Sequence, residues 1–165
     1  MAIAYWVSVT LHVLAAMLWL GGMLFLAAVG APVLRAIEPP ALRQRLFQQL
    51  GLRFRSIGWG AIALLIATGI ANLHFRGWLR WDGALGDAVF WATPMGRALA
   101  WKLGAVGAML ATSATHDFVL GPAAGRAVAG SPEAIRLRRR AALLARVTAL
   151  LGLVVVAAAV RLART

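Results

Sequence analysis

Residues 11–25 read LHVLAAMLWLGGMLF, apolar along its whole length except for the imidazole of His12. Extended outward, the run reaches from about Ala4 to Val29 without a formal charge. A hydrocarbon core about 30 Å thick needs about 20 apolar residues as α-helix. This stretch therefore predicts a membrane span, and the span makes His12 the residue to explain. It lacks a positive n-region and is too long for the apolar region of a signal peptide, so it reads as retained.

Three further segments meet the same requirement: about 57–75, about 99–120 and about 141–160. Arg146 lies in the first turns of the last one, where a long side chain can snorkel to the headgroups. The spans show no two-residue alternation of the kind barrel strands need, so helices are predicted. Hydrophobic residues make up 62% of the 165, at a mean hydropathy of +0.81, well above soluble usage. The prediction is an all-α integral membrane four-helix bundle, one domain over residues 1–165. The absence of cysteine excludes disulfides, thiolate metal sites and cysteine nucleophiles. Walker loops, nucleophile elbows and zincin helices are also missing, so no catalytic residue is assigned. Enzyme status stays open, with a non-enzyme preferred.

Seventeen basic residues face five acidic ones, but the positives lie between apolar runs, which points to membrane topology and a lipid partner rather than nucleic acid. Arg35, Arg43, Arg45, Arg53 and Arg55 follow the first span. Arg126, Arg136, Arg138, Arg139, Arg140 and Arg146 follow the third. The loop after the second span holds only Arg76, Arg80 and Arg97, offset by Asp82 and Asp87. The positive-inside rule then places the two arginine-rich loops in the cytoplasm and both termini outside, in a bacterial cytoplasmic (inner) membrane. Arg161 and Arg164 near the C-terminus run mildly against this. Tyr5, Trp6, Trp78, Trp81, Trp91 and Trp101 form the matching outer aromatic belt, with Trp19 and Trp59 elsewhere. Residues 40–54 read as an amphipathic cytoplasmic segment lying on the membrane after the Pro39-Pro40 break. Gly30 with Pro32, and Gly121 with Pro122, read as span ends. Gly21, Gly22, Gly58, Gly60, Gly104 and Gly107 are predicted to let helices approach closely.

Ionisable groups inside spans lean functional. His12 falls about 10–16 Å below the outer surface and Lys102 about 5–8 Å, depths that can overlap across the bundle. His74 lies at the outer mouth, where solvation is the plainer reading. His116 and Asp117 form a separate set near the cytoplasmic end of the third span. For His12 the plainer reading is an interhelical hydrogen bond, and for Lys102 it is snorkelling. Neighbouring residues on a helix point apart, which weighs against a metal role for His116 with Asp117. Met17, Met23, Met95 and Met109 offer soft thioethers suited to Cu(I), without a clustered spacing.

LHVLAAMLWLGG in the first span, RSIGWGAIALLIATGIANL in the second and ALAWKLGAVGAML in the third resemble the copper-resistance protein D (CopD) family. The outline is also similar to HemJ-type protoporphyrinogen oxidases, which pair a first-helix histidine with a later lysine in haem b binding. The matching positions are His12 and Lys102. Where the HemJ pattern has a charged, aromatic segment with a further histidine, this chain has FLAAVGAPVLRAI, a departure.

The CopD resemblance implies copper import or transfer across the membrane. His12 would be the buried ligand, His74 and Met95 outer entry ligands, and a separate periplasmic copper-binding protein a partner. The HemJ resemblance implies a haem b redox protein held by His12 and Lys102. A third reading is a non-catalytic partner subunit that docks another chain through its helices. Four spans make a narrow bundle, for which a homodimer is a reasonable assembly.

Overall fold

A computed structural model describes residues 2–80, 83–128 and 130–164, with side chains to 162. Trp81, Asp82 and the side chain of Arg164, which entered the reading of belt and charge, lie outside the described residues. Four long helices form an all-helical bundle, and no strand occurs among the described residues. They are α1 (Ala2–Arg35), α2 (Pro40–Phe75), α4 (Pro94–Arg126) and α5 (Pro132–Arg164), with a short α3 (Ala88–Ala92) before α4. Each long helix is apolar and long enough to cross a membrane. At 1.5 Å per residue each runs to roughly 50 Å, well beyond the hydrocarbon thickness. The chain alternates direction, so α1 begins and α5 ends at one end of the bundle, the termini end. The α1–α2 and α4–α5 connections form the other, arginine-rich end.

The helices overrun the sequence-based boundaries for an identifiable reason. Gly30 and Pro32 do not stop α1, and Gly121 and Pro122 do not stop α4. Each proline follows a π-helical stretch, Leu26–Gly30 and Thr115–Leu120, in which the Ala31 N–H reaches the Leu26 carbonyl and the Gly121 N–H reaches that of His116. A proline in an ordinary helix clashes with the carbonyl four residues back, and the wider π register accommodates it. Residues 40–54 likewise do not form a separate surface helix. Between the Pro39-Pro40 start and Phe75 no residue breaks the ladder, so they are the first turns of the continuous 36-residue α2.

Backbones approach closely within two antiparallel hairpins, α1 with α2 and α4 with α5. Between hairpins, close approach is confined to α1 against α5 and to α2 against the last turns of α4. Trp19, Ala61, Ile62 and Met109 form the central buried layer, with Leu20, Met23, Trp59, Leu110 and Leu151 around it. Glycine makes room for this layer at particular places. A Cβ on Gly22 would stand 2.5 Å from the Phe54 ring, and one on Gly152 would stand 3.0 Å from Leu20 and 3.3 Å from Trp19. Gly58 packs on Trp19, whereas Gly21, Gly60, Gly104 and Gly107 face open space. The predicted packing role thus belongs to Gly22 and Gly58, with Gly152 added.

A second apolar cluster closes the termini end: Ala98, Leu99 and Leu162, with Trp78, Phe90, Trp91 and Met95 packed against them. Asp87 caps α3 by accepting from the Val89 N–H at 2.8 Å, and Thr93 caps α4 by accepting from the Gly96 N–H at 3.0 Å. At the arginine-rich end the Gln44 amide donates to the Gly125 and Ala127 carbonyls, and Arg138 donates to Gln44 Oε1. These bonds tie the starts of α2 and α5 to the end of α4.

Candidate functional site

Polar side chains on the buried stripes collect at two levels. Toward the termini end, Ser8 and His12 stand one turn apart on α1, facing Thr68 and Asn72 one turn apart on α2. Four-residue spacing puts each pair on one helix face. The Ser8 hydroxyl donates to the Thr68 carbonyl at 3.4 Å. His12 Nδ1 lies 2.8 Å from Thr68 Oγ1, and Thr68 Oγ1 lies 2.6 Å from the Leu64 carbonyl.

These distances determine the imidazole tautomer. A threonine hydroxyl has one proton, and the short contact to a carbonyl, which can only accept, uses it. Thr68 Oγ1 must then accept from His12 Nδ1–H. A neutral ring that carries its proton on Nδ1 has its lone pair on Nε2, and the Leu65 carbonyl also lies within hydrogen-bonding reach of the imidazole. The ring edge rests on α2 at Gly69, whose missing Cβ would stand 3.5 Å from His12 Cε1.

Lys102 on α4 lies within electrostatic reach of the His12 ring, and Arg76, one turn beyond Asn72, lies within reach of Lys102. The shared depth of His12 and Lys102 read from the sequence is therefore present across the two hairpins. Asn72 Oδ1 is buried without a hydrogen-bond partner. The level thus combines a lone-pair nitrogen, an orphaned acceptor and two cations. Asp87, the one described acidic side chain of the 76–97 connection, is engaged in capping α3.

His74 and Met95 do not join this level. His74 is six residues from Thr68, which turns it to another face of α2, and it is exposed beside the Phe75 ring. Met95 is half-buried in the apolar cluster at the termini end.

At the second level, toward the arginine-rich end, α4 passes through its π-helical stretch. The Gly121 N–H is taken by His116, and Pro122 has no N–H, so the Asp117 carbonyl lacks a helical donor. Arg55 Nη1 supplies one at 3.1 Å, and its guanidinium lies 5.5 Å from the centre of the Phe118 ring. The Asp117 carboxylate accepts from Trp59 Nε1 at Oδ2 and from His116 Nδ1 at Oδ1, each at 2.8 Å. The adjacent His116 and Asp117 therefore touch, contrary to the expectation for neighbours on an α-helix. Of the residues that build these levels, Thr68 and Asn72 are not singled out by the sequence reading, and Trp59 and Arg55 enter it only as an off-belt aromatic and a loop charge. Two signals mark them: the 68/72/76 polar ladder in an apolar span, and a tryptophan away from the aromatic belt.

Among the described residues, no group of three or more His, Cys, Asp or Glu side chains could hold a metal ion.

Residues 48–162 match the family model described as copper resistance protein D. The match covers α4 and most of α2 and α5, and leaves His12 outside. Over 65 residues the chain is 43% identical to an uncharacterized protein of Aquifex aeolicus (strain VF5), covering 39% of this chain and 44% of that relative. It thus matches less than half the length of that curated relative. No solved structure matches.

Proposed function

The chain belongs to the copper resistance protein D family, and from that premise we propose that it passes copper across the bacterial cytoplasmic membrane. In this reading the arginine-rich end faces the cytoplasm, as loop charge favours, and the termini face outward. Copper is the cargo and His12 its buried ligand. The observation that carries the reading is the Nδ1-bonded state of half-buried His12 on Thr68, which puts the lone pair of the neutral ring on Nε2, within electrostatic reach of Lys102 on the other hairpin. Lys102 makes a cation at His12 weakly held. Conduction needs a site that the ion can leave as well as enter. His74 and Met95 serve as entry groups nearer the outer surface, receiving the ion from a separate periplasmic carrier. Whole-cell copper accumulation tests the proposal. At equal protein levels His12→Ala should abolish the uptake that wild type adds, and undiminished uptake would remove His12 from the path.

One observation favours a second reading, in which the resident group is haem b. His12 and Lys102 come from opposite hairpins to one level, and a bare imidazole Nε2 is a fitting axial donor. Bound there, haem would supply one-electron redox chemistry. The chain would contribute the His12 and Lys102 ligands and the cationic Arg76 beside them. The visible spectrum of protein purified from haem-replete cells decides between the two, since a colourless protein that takes up no added haemin excludes haem.

A further inference from the structure

We infer that His116, positioned by Asp117, is a second copper-binding station toward the arginine-rich end, completing a path that begins at His12. The inference rests on the copper reading of the previous section. It follows first from the hydrogen bonds. An indole N–H can only donate, so Trp59 holds Asp117 Oδ2, and Oδ1 is left to receive His116 Nδ1–H at 2.8 Å. His116 then presents Nε2 as its lone-pair nitrogen, the same state that Thr68 imposes on His12. A carboxylate behind an imidazole is the arrangement that orients metal-ligating histidines and raises their basicity. The His116 side chain is 35% exposed, against 22% for Asp117, so the imidazole is the more accessible member of the pair.

The second line of argument is position. His12 bonds Thr68 and Asp117 bonds Trp59, whose backbones are about 14 Å apart on α2, while Lys102 and His116 are about 21 Å apart on α4, so the two levels are separated by roughly three to four helical turns. Between them lies the central layer, and Met109, 5% exposed, is its soft ligand. Met109 is seven residues from both Lys102 and His116 on α4, close to two helical turns each way. An imidazole, a thioether and an imidazole thus follow one another along the interior. Successive levels stand about two helical turns apart on α4, too far for one ion to touch two donors, so the bond to one donor breaks before the bond to the next forms, with Cu(I) unchanged in oxidation state. The charge in contact with the imidazole also differs, Lys102 acting on His12 and the Asp117 carboxylate on His116, with Arg55 bonded to the Asp117 carbonyl at that level.

The test is Cu(I) binding by the detergent-purified full chain under anaerobic, reducing conditions, titrated against a chromogenic Cu(I) chelator. A parallel readout follows the ring ¹⁵N resonances of both histidines. In wild type, Cu(I) should shift Nε2 of both rings. His116→Ala should lose one equivalent while the His12 resonance still responds. Asp117→Asn should weaken that same equivalent by about 10-fold or more. His116→Gln serves where the alanine variant does not fold, and the wild-type resonances need no variant at all. If Cu(I) moves His12 but leaves His116 unshifted, and His116→Ala keeps full stoichiometry, the second station is wrong and the copper reading stands. If Cu(I) moves neither ring, the copper reading falls and this inference falls with it.

Discussion

Replacing Thr68 by valine isolates what the hydroxyl does for His12, because the side chains are nearly the same shape. Two contacts vanish together, the 2.8 Å bond from His12 Nδ1 and the 2.6 Å bond to the Leu64 carbonyl. A hydrogen bond within a membrane bundle is worth about 1 kcal/mol, roughly a fivefold change in an equilibrium. The Nδ1–H tautomer of His12 should lose about that preference, and the copper affinity of the site should fall by a similar factor. Thr68→Ser keeps the hydroxyl and should behave as wild type. The assay is the ¹⁵N spectrum of selectively labelled histidine, where the two ring nitrogens separate clearly according to protonation. An unaltered tautomer ratio in Thr68→Val would refute the argument that the threonine proton is committed to Leu64.

Other perturbations act on separate parts of the molecule. Lys102→Gln removes a like charge from beside His12. Like unit charges within a partly buried site repel by about 1–2 kcal/mol or more at an effective dielectric of 20, so Cu(I) affinity should rise by about an order of magnitude. In the haem reading the same variant should instead lose a ligand and change the Soret band, so binding and absorbance together separate the two. Trp59→Phe deletes the donor to Asp117 Oδ2 and should cost about 1–2 kcal/mol of stability, read as a lower melting temperature in detergent with the His116 resonances displaced. Gly96→Ala would drive a Cβ into the Phe90 carbonyl. It should unpack the corner between α3 and α4 and lower the melting temperature without changing Cu(I) binding at His116, some 30 Å away by helical rise.

Span number and helical class were legible because the bilayer imposes a length that apolar runs either meet or miss. The pairing of His12 with Lys102 was legible because depth in a membrane follows from residue count. The π-helical stretches were hidden, since Gly30-Ala31-Pro32 and Gly121-Pro122 carry the same local signal as a helix stop. Whether the chain stops or widens its hydrogen-bond register depends on whether its neighbours hold it in line. At Asp117 they do, because Arg55 supplies the donor that the proline removes. Glycine roles were hidden for a related reason. Helix phase decides whether a glycine meets a ring, as Gly22 meets Phe54, or meets nothing, as Gly104 does. Trp59 was set apart from the interfacial belt by position, yet only the three-dimensional register of α2 against α4 shows that it holds a carboxylate.

The two polar levels differ in a way that bears on direction. At His12 the nearest charge is Lys102, with Arg76 behind it. At His116 the contacting group is a carboxylate. A cation that reaches His12 is therefore repelled by Lys102 where it sits, whereas at His116 the contacting carboxylate favours it, so the charges touching the two imidazoles favour movement from the termini end to the arginine-rich end. Arg55, half-buried on α2 and bonded to the Asp117 carbonyl, opposes that movement, so the Asp117 charge is what keeps a cation at the second level from being repelled as it is at the first. Reversing the charge at 102 and removing the one at 117, in the Lys102→Glu, Asp117→Asn double variant, should therefore trap copper at His12 rather than merely slow it, leaving a protein that binds the ion and does not release it.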